Sequence, residues 1–179
     1  FDRYRDLAIA LLMLLCGLRS REVPLLRVGD VHFGQSIIRV QGKGGRERVI
    51  PLSREVAETV RKYLYLERPA DSSSDALFVV LQGAGRGQPM TTAGLRSLFR
   101  ARRRYHRNLE NANPHRFRHT FGADMVRSGV KLPVLQRLMG HASGLTTLRY
   151  IQLSSTDVAV EYNRAMEKIA RRYENALED

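Results

Sequence analysis

The run HRFRHTF, His115 to Phe121, holds two histidines and two arginines within five residues, threaded by aromatics. Side chains of these types admit three chemistries. His115 and His119, at i, i+4 spacing, could share a metal ion, with His141 as a third ligand. Arg118 and the histidines could grip a phosphate. The run could equally be the wet face of a basic helix. The metal reading fares worst of the three. No Glu stands between the two histidines to act as a zincin base, and Arg116 and Arg118 would set positive charge beside the cation. Acidic residues are also nearly absent around it: residues 83–153 contain only Glu110 and Asp124.

Other isolated polar residues punctuate apolar or glycine-rich segments. Arg19, in CGLRSRE, follows the first apolar run, and Lys43, in QGKGGRER, sits where glycines let a backbone approach a ligand closely. His141, in LMGHASGLTTLRY, follows Gly140, with Tyr150 nine residues on. GKGG is not a phosphate-binding P-loop, because the GxxxxGK[ST] spacing is missing. Taken singly, each residue has a plain reading as an ordinary surface or core side chain.

The elements that must position these residues follow from periodicity and turn chemistry. Asp2 to Cys16 reads as a helix that is apolar almost all round, hence buried, and closed by Gly17. Ser20 is placed to cap a second short helix through Leu26, although Pro24 is unusual there. The period then changes. Val31–Phe33, Ile37–Val40 and Arg48–Ile50 are short strands separated by Gly34 and by Gly42, Gly44 and Gly45, and predict a three-stranded antiparallel sheet. Ser53 caps a helix to about Arg68, with Val56, Val60, Tyr63 and Leu64 as its buried stripe. PADSSSD is a loop, LFVV a buried segment and QGAGRGQP a glycine-rich loop. Further helices are expected near Thr92–His106, His115–Ser128, Val134–Met139 and Thr146–Ile151, with a long one at Asp157–Leu177. Pro114 suits the first turn of the helix that carries HRFRHTF, and Phe117, Phe121 and Met125 form its buried stripe, with Arg118 on the border. The expected class is mainly α with a small antiparallel sheet (α+β), in a single domain over residues 1–179.

Charge points to the partner. The chain carries +12 overall, and residues 83–153 hold thirteen Lys/Arg against two acids, a net of +11. Residues 1–82 contribute +3 and residues 154–179 contribute −2. So concentrated an excess favours a polyanion-binding face, with nucleic acid the leading candidate. The single cysteine, Cys16, excludes an intramolecular disulfide and fits a reducing compartment. Leu7–Leu18 resembles a signal-peptide core, but Asp2 and Asp6 spoil a basic leader, no small-residue cleavage site follows, and twelve residues cannot span a bilayer. A buried core helix is the better reading. The first residue is Phe rather than Met, as expected of a piece of something longer.

Together and in this order, the residues resemble the catalytic domain of the tyrosine recombinase (phage integrase) family. That pattern is an Arg in GLRxxE, a Lys in a β-hairpin, HxxRH, GH, and a Tyr shortly after. Here the positions are Arg19 with Glu22, Lys43, His115, Arg118 and His119, Gly140 and His141, and Tyr150. The likeness runs from about Leu7 to Tyr150. Pro24 interrupts the family's usual helix and Phe117 replaces its common Leu, but neither removes a catalytic group. The family's N-terminal core-binding domain has no counterpart in these residues.

The resemblance implies that Tyr150 attacks a DNA phosphodiester, leaving a 3′-phosphotyrosine and a free 5′-hydroxyl. Strand exchange and religation then need no metal, cofactor or ATP. Arg19 and Arg118 would grip the non-bridging oxygens, where charge gathers in the transition state, doing electrostatically what two metal ions do in many nucleases. His115 and His141 would add hydrogen bonds, and Lys43 would protonate the leaving 5′-oxygen. Glu22 and His119 would orient neighbours. Arg100, Arg102, Arg103, Arg104 and Arg107 are expected along the DNA backbone, giving affinity that falls steeply with salt. The last helix, residues 157–178, has a stripe of Val158, Tyr162, Met166, Ile169, Tyr173 and Leu177. It either folds back on its own domain or docks on a neighbouring protomer of a homotetramer on DNA. A cytoplasmic, DNA-associated protein of prokaryotic or mobile-element origin is expected. A type IB topoisomerase-like or resolvase activity, a non-catalytic DNA-binding module and a metal-dependent hydrolase are the competing readings.

Overall fold

A computed structural model describes residues 2–42, 45–105, 113–140 and 155–178, with the backbone alone at 103–105, 155–157 and 175–178. Helix α1 (Tyr4–Leu15) is followed by single 3₁₀ turns at Val23–Leu25, Val28–Asp30 and Phe33–Gln35. These turns bracket and lead into a small sheet of β1 (Val31–His32), β2 (Ile37–Gln41) and β3 (Glu47–Pro51). Helix α2 (Arg54–Lys62) runs on into a π turn, Tyr63–Glu67. Helices α3 (Thr92–Tyr105), α4 (Pro114–Arg127), α5 (Leu132–Met139) and α6 (Ser155–Glu178) complete the described elements. The sheet is antiparallel in the order β1-β2-β3, with Val31 opposite Ile38 and Val40 opposite Arg48. The mainly helical α+β architecture read from the sequence is the one observed. The helix expected at Thr146–Ile151 lies outside the described residues.

One element differs in kind. In place of a capped helix from Ser20 to Leu26 there is one 3₁₀ turn, Val23–Leu25, with Glu22 before it and no side-chain cap. Pro24 has no N–H to continue an i→i−4 ladder. The chain instead closes short bonds, from Glu22 N–H to the Arg19 carbonyl (2.9 Å) and from Leu25 N–H to the Glu22 carbonyl (3.1 Å). Smaller shifts have equally local causes. Phe33 leaves its strand for a 3₁₀ turn closed by Ser36 at φ 51°, and Ser53 caps α2 through Val56 N–H (3.4 Å) as expected.

The core forms because α1 is apolar on nearly every face. Ala8, Ile9, Leu12 and Met13 are buried together with Ile38, Val40 and Ile50 of the sheet, Val56 and Val60 of α2, and Phe121 and Met125 of α4. Asp6, the buried charge of α1, accepts from Arg5 and from Arg102 of α3 (3.0 Å). Burial pushes the Cys16 thiol up to about 12, so it stays a neutral core group. Helix α6 lies on its own domain. Val158, Tyr162, Ala165 and Ile169 are buried, and the Tyr162 hydroxyl donates to the Leu15 carbonyl (2.9 Å). Lys168 reaches the Ser128 carbonyl (3.1 Å), and the Tyr173 hydroxyl donates to buried Asp124 of α4 (3.1 Å).

Gly17 ties α1 to α4. Its φ is +65°, and a Cβ there would lie 2.5 Å from the Phe121 ring. Gly17→Ala is therefore expected to destabilise the fold by about 2 kcal/mol or more, from the left-handed backbone and the clash together. That corresponds to a Tm lower by about 5 °C in thermal denaturation; an unchanged Tm would mean that Phe121 does not rest on this glycine.

Candidate active site

The chain leaves α1 through Gly17 and turns sharply, so that Arg19 and Glu22 come from one short loop. The Glu22 carboxylate accepts from the Arg19 backbone N–H (2.7 Å, on Oε2) and from Arg19 Nη1 (2.8 Å, on Oε1). Arg19 Nη2 donates to the Gly140 carbonyl (3.1 Å), which closes α5 with φ +62°. Arg19 keeps 27% of its side chain exposed, whereas Glu22 keeps 4%.

Helix α4 brings the second arginine. Asn113 Oδ1 caps it by accepting from Arg116 N–H (2.9 Å), and Pro114 occupies the first turn. Phe117 packs on Phe99 of α3 (ring centroids 5.5 Å apart), and Phe121 packs on Gly17. Held at these two points, α4 presents Arg118, which is buried but for 7%. Its Nη1 donates to the Gly17 carbonyl, and its Nη2 to the Met139 carbonyl (2.6 Å). Arg19, Ser20, Arg21, Pro114, His115 and Arg118 line one open cleft of about 300 Å³. Three guanidiniums, Arg19 and Arg21 from the loop after α1 and Arg118 from α4, thus meet an imidazole at a surface depression.

A further arginine lies beneath them. Arg48 of β3 is buried and forks onto Glu22, with Nη1 to Oε1 (2.9 Å) and Nη2 to Oε2 (2.8 Å), while its Nε donates to the Leu138 carbonyl (2.9 Å). Two cations, Arg19 and Arg48, therefore share one carboxylate, and the cleft, lined by Arg19, Arg21 and Arg118, has a surplus of positive charge. Burial, then the charge of Arg19, push Arg118 down to about 10, so it remains a cation at neutral pH but a strained one. A bound anion would relieve that strain.

For Glu22, burial alone would raise the pKa, but the hydrogen bonds and charge of Arg48, and then Arg19, outweigh it and the carboxyl titrates below its usual range. A carboxyl depressed in the folded state stabilises the fold above its unfolded pKa, and that contribution is lost as pH falls through the folded value. Glu22→Gln should therefore lower Tm clearly at pH 7, and the gap to the parent chain should close as pH drops below about 4. A gap of constant size across that range would contradict the ion-pair account.

Of the residues singled out by sequence, Arg19, His115 and Arg118 share the cleft, and Glu22 sits under it. His119 is exposed on α4. Lys43, His141, Tyr150 and Arg107 lie outside the described residues, although β2 and β3 flank Lys43 and the carbonyl of Gly140 meets Arg19. Arg100 is exposed on α3. Arg102 is turned the other way, toward the carboxylates of Asp2 and Asp6. The reason is helical phase: two residues are about 200° apart, so Arg102 faces α1 when Arg100 faces solvent. Among the described residues, no three His, Cys, Asp or Glu side chains converge, and no helix is long and apolar enough to cross a membrane.

Sequence reasoning missed Arg48 and Asp124. Both carried a signal, a charge at an inward-facing position: Arg48 alternates with buried Ile50 on β3, and Asp124 stands three residues after buried Phe121 on α4.

A family model described as the phage integrase family matches residues 1–156. The chain belongs to that family. Among relatives of this phage integrase-family chain, a protein of Chromobacterium violaceum named tyrosine recombinase XerC is 34% identical over 169 residues, covering 94% of this chain and 54% of that protein. The crystal structure of XerA recombinase superposes with a TM-score of 0.67 at 27% identity, over 90% of this chain and 58% of that one. The integrase from mycobacterium phage Brujita shares the fold with a TM-score of 0.70 at 22% identity, over 92% of this chain and 53% of that one. The chain spans about half the length of the curated relatives it matches.

Proposed function

We propose that this phage integrase-family chain is the catalytic unit of a site-specific DNA recombinase. The observation that carries the reading is the convergence of Arg19, Arg118 and His115 on one open cleft with surplus positive charge. A phosphodiester fits that cleft. A guanidinium has five N–H donors, and two of those on Arg118 are spent on carbonyls, leaving others for the non-bridging oxygens. Arg19, which lines the same cleft, meets the same phosphate. Tyr150 is the nucleophile: its oxygen bonds to phosphorus, the 5′-oxygen of the next nucleotide leaves, and Lys43 supplies the proton that makes it a hydroxyl. His115 and His141 hydrogen-bond the phosphate, and His115 helps take the tyrosine proton. Glu22 and His119 orient neighbours. Because the phosphotyrosine keeps the energy of the broken bond, attack by another 5′-hydroxyl rejoins the strands without metal or ATP.

Residues 1–179 act as one catalytic unit on double-stranded DNA, in which Arg100, with Arg103, Arg104 and Arg107, follows the backbone while Arg102 braces α3 against Asp2 and Asp6. Recombination joins four copies, and α6 then makes its contacts through Tyr162 and Ile169 on a neighbour in place of its own domain. The test is a pool of nicked duplexes, randomised around the nick, incubated with the chain in EDTA. A covalent adduct on denaturing gels is expected. Salt-sensitive binding without adduct on any member would make the chain a binding module, and an adduct that needs a divalent metal would return the metal reading.

A further inference from the structure

We propose that Arg48 is a positioning residue for Arg19, acting through Glu22; the inference rests on the recombinase reading for what Arg19 does. Burying a guanidinium on an inward strand position is costly unless every donor direction is answered. Here two are answered by Glu22, which holds Arg19, and a third by the Leu138 carbonyl of α5. Arg48 forks onto both oxygens of Glu22, and each of those oxygens also accepts from Arg19. The fork fixes the plane of the carboxylate, since rotating it would break two bonds to Arg48 at once. Without Arg48, the Glu22 carboxylate would keep only its two hydrogen bonds to Arg19.

The other end of Arg19 is supported by the same residue. Arg19 Nη2 donates to the Gly140 carbonyl, and the Arg48 side chain lies so close to Gly140 that a Cβ there would meet it at 3.1 Å. Arg48 also ties down Leu138, two residues earlier, through its Nε. Both terminal nitrogens of Arg19 therefore rest on groups that Arg48 touches, and Arg48 itself lies beneath the cleft rather than in it. Lysine cannot reproduce this: it is a point charge, without a planar fork that reaches two oxygens and a carbonyl together.

The test compares Arg48→Lys, Arg19→Lys and the double variant. One measurement is the single-turnover rate of adduct formation at saturating nicked DNA. A second needs no DNA: the rate at which phenylglyoxal modifies Arg19, mapped by mass spectrometry. Arg48→Lys is expected to slow adduct formation about tenfold while leaving DNA affinity within about twofold, and to speed the labelling of Arg19. In the Arg19→Lys background the same change should cost almost nothing further. Equal slowing in both backgrounds, or unaltered Arg19 labelling, would overturn the proposal and leave Arg48 a mere structural ion. Should Arg48→Lys not fold, Arg48→Gln, which keeps a neutral donor toward Glu22, takes its place with the same expected outcomes. If the parent chain forms no adduct on any DNA, the recombinase reading fails, and Arg19 labelling still decides whether Arg48 positions it.

Discussion

Arg118→Ala is expected to slow formation of the covalent tyrosyl adduct by about 10³-fold at saturating DNA, with weaker effects on DNA binding. The guanidinium meets charge that develops on the phosphate oxygens only as the tyrosine attacks, so its loss falls mainly on the chemical step. The surroundings make it effective: Arg118 is buried, braced on the Gly17 and Met139 carbonyls and desolvated beside Arg19, so it needs no reorganisation when the anion forms. Removing it also leaves two carbonyls without their donor, and the fold should lose about 1–3 kcal/mol. The two effects separate, because adduct formation well below Tm reports chemistry and the shift of Tm reports the carbonyls. Arg118→Lys should recover part of the rate but little of the stability, since one ammonium cannot answer both carbonyls. A rate loss that vanishes once the folded fraction is counted would reduce Arg118 to a structural residue.

How much of this was legible in sequence depends on whether a feature is local. The burial of α1 follows from a segment apolar on almost every face, and the sheet from short alternating runs between glycines. Pro114 and the Phe117–Phe121–Met125 spacing located α4 within a residue at either end. The link between Arg19 and Arg118, by contrast, is tertiary. It depends on Phe121 docking against Gly17, 104 residues away in the chain, and no periodicity encodes which glycine a ring will meet. The resemblance supplied the pairing of Arg19 with Arg118; packing supplied its cause.

The misreadings have physical origins too. Ser20 has the residue type of a helix cap, but Pro24 has no N–H for the next turn, and the Glu22 and Val23 N–H groups that such a cap would accept from bond the Arg19 carbonyl instead. The arginine run on α3 reads as one block in sequence, whereas a helix divides any such run between faces, and Arg102 pairs with Asp2 and Asp6. Arg48 escaped notice because a charged residue in a short strand is usually solvated. Only its alternation with Ile50 marked it as inward, and only the fold revealed that Glu22 awaited it.

Tyr150→Phe has the largest expected effect of any single change, because it removes one oxygen and nothing else. Without that atom no bond to phosphorus can form, and neither arginine nor histidine can supply a covalent substitute in the same position. Binding should be untouched, since phenylalanine fills the same volume and the basic face is unchanged. The measurement is adduct trapping on the randomised nicked duplexes in EDTA, with parent chain and Tyr150→Phe side by side and DNA affinity taken in parallel. The account predicts a covalent band from the parent chain and none from Tyr150→Phe at equal DNA occupancy. A band of equal strength from both would contradict it.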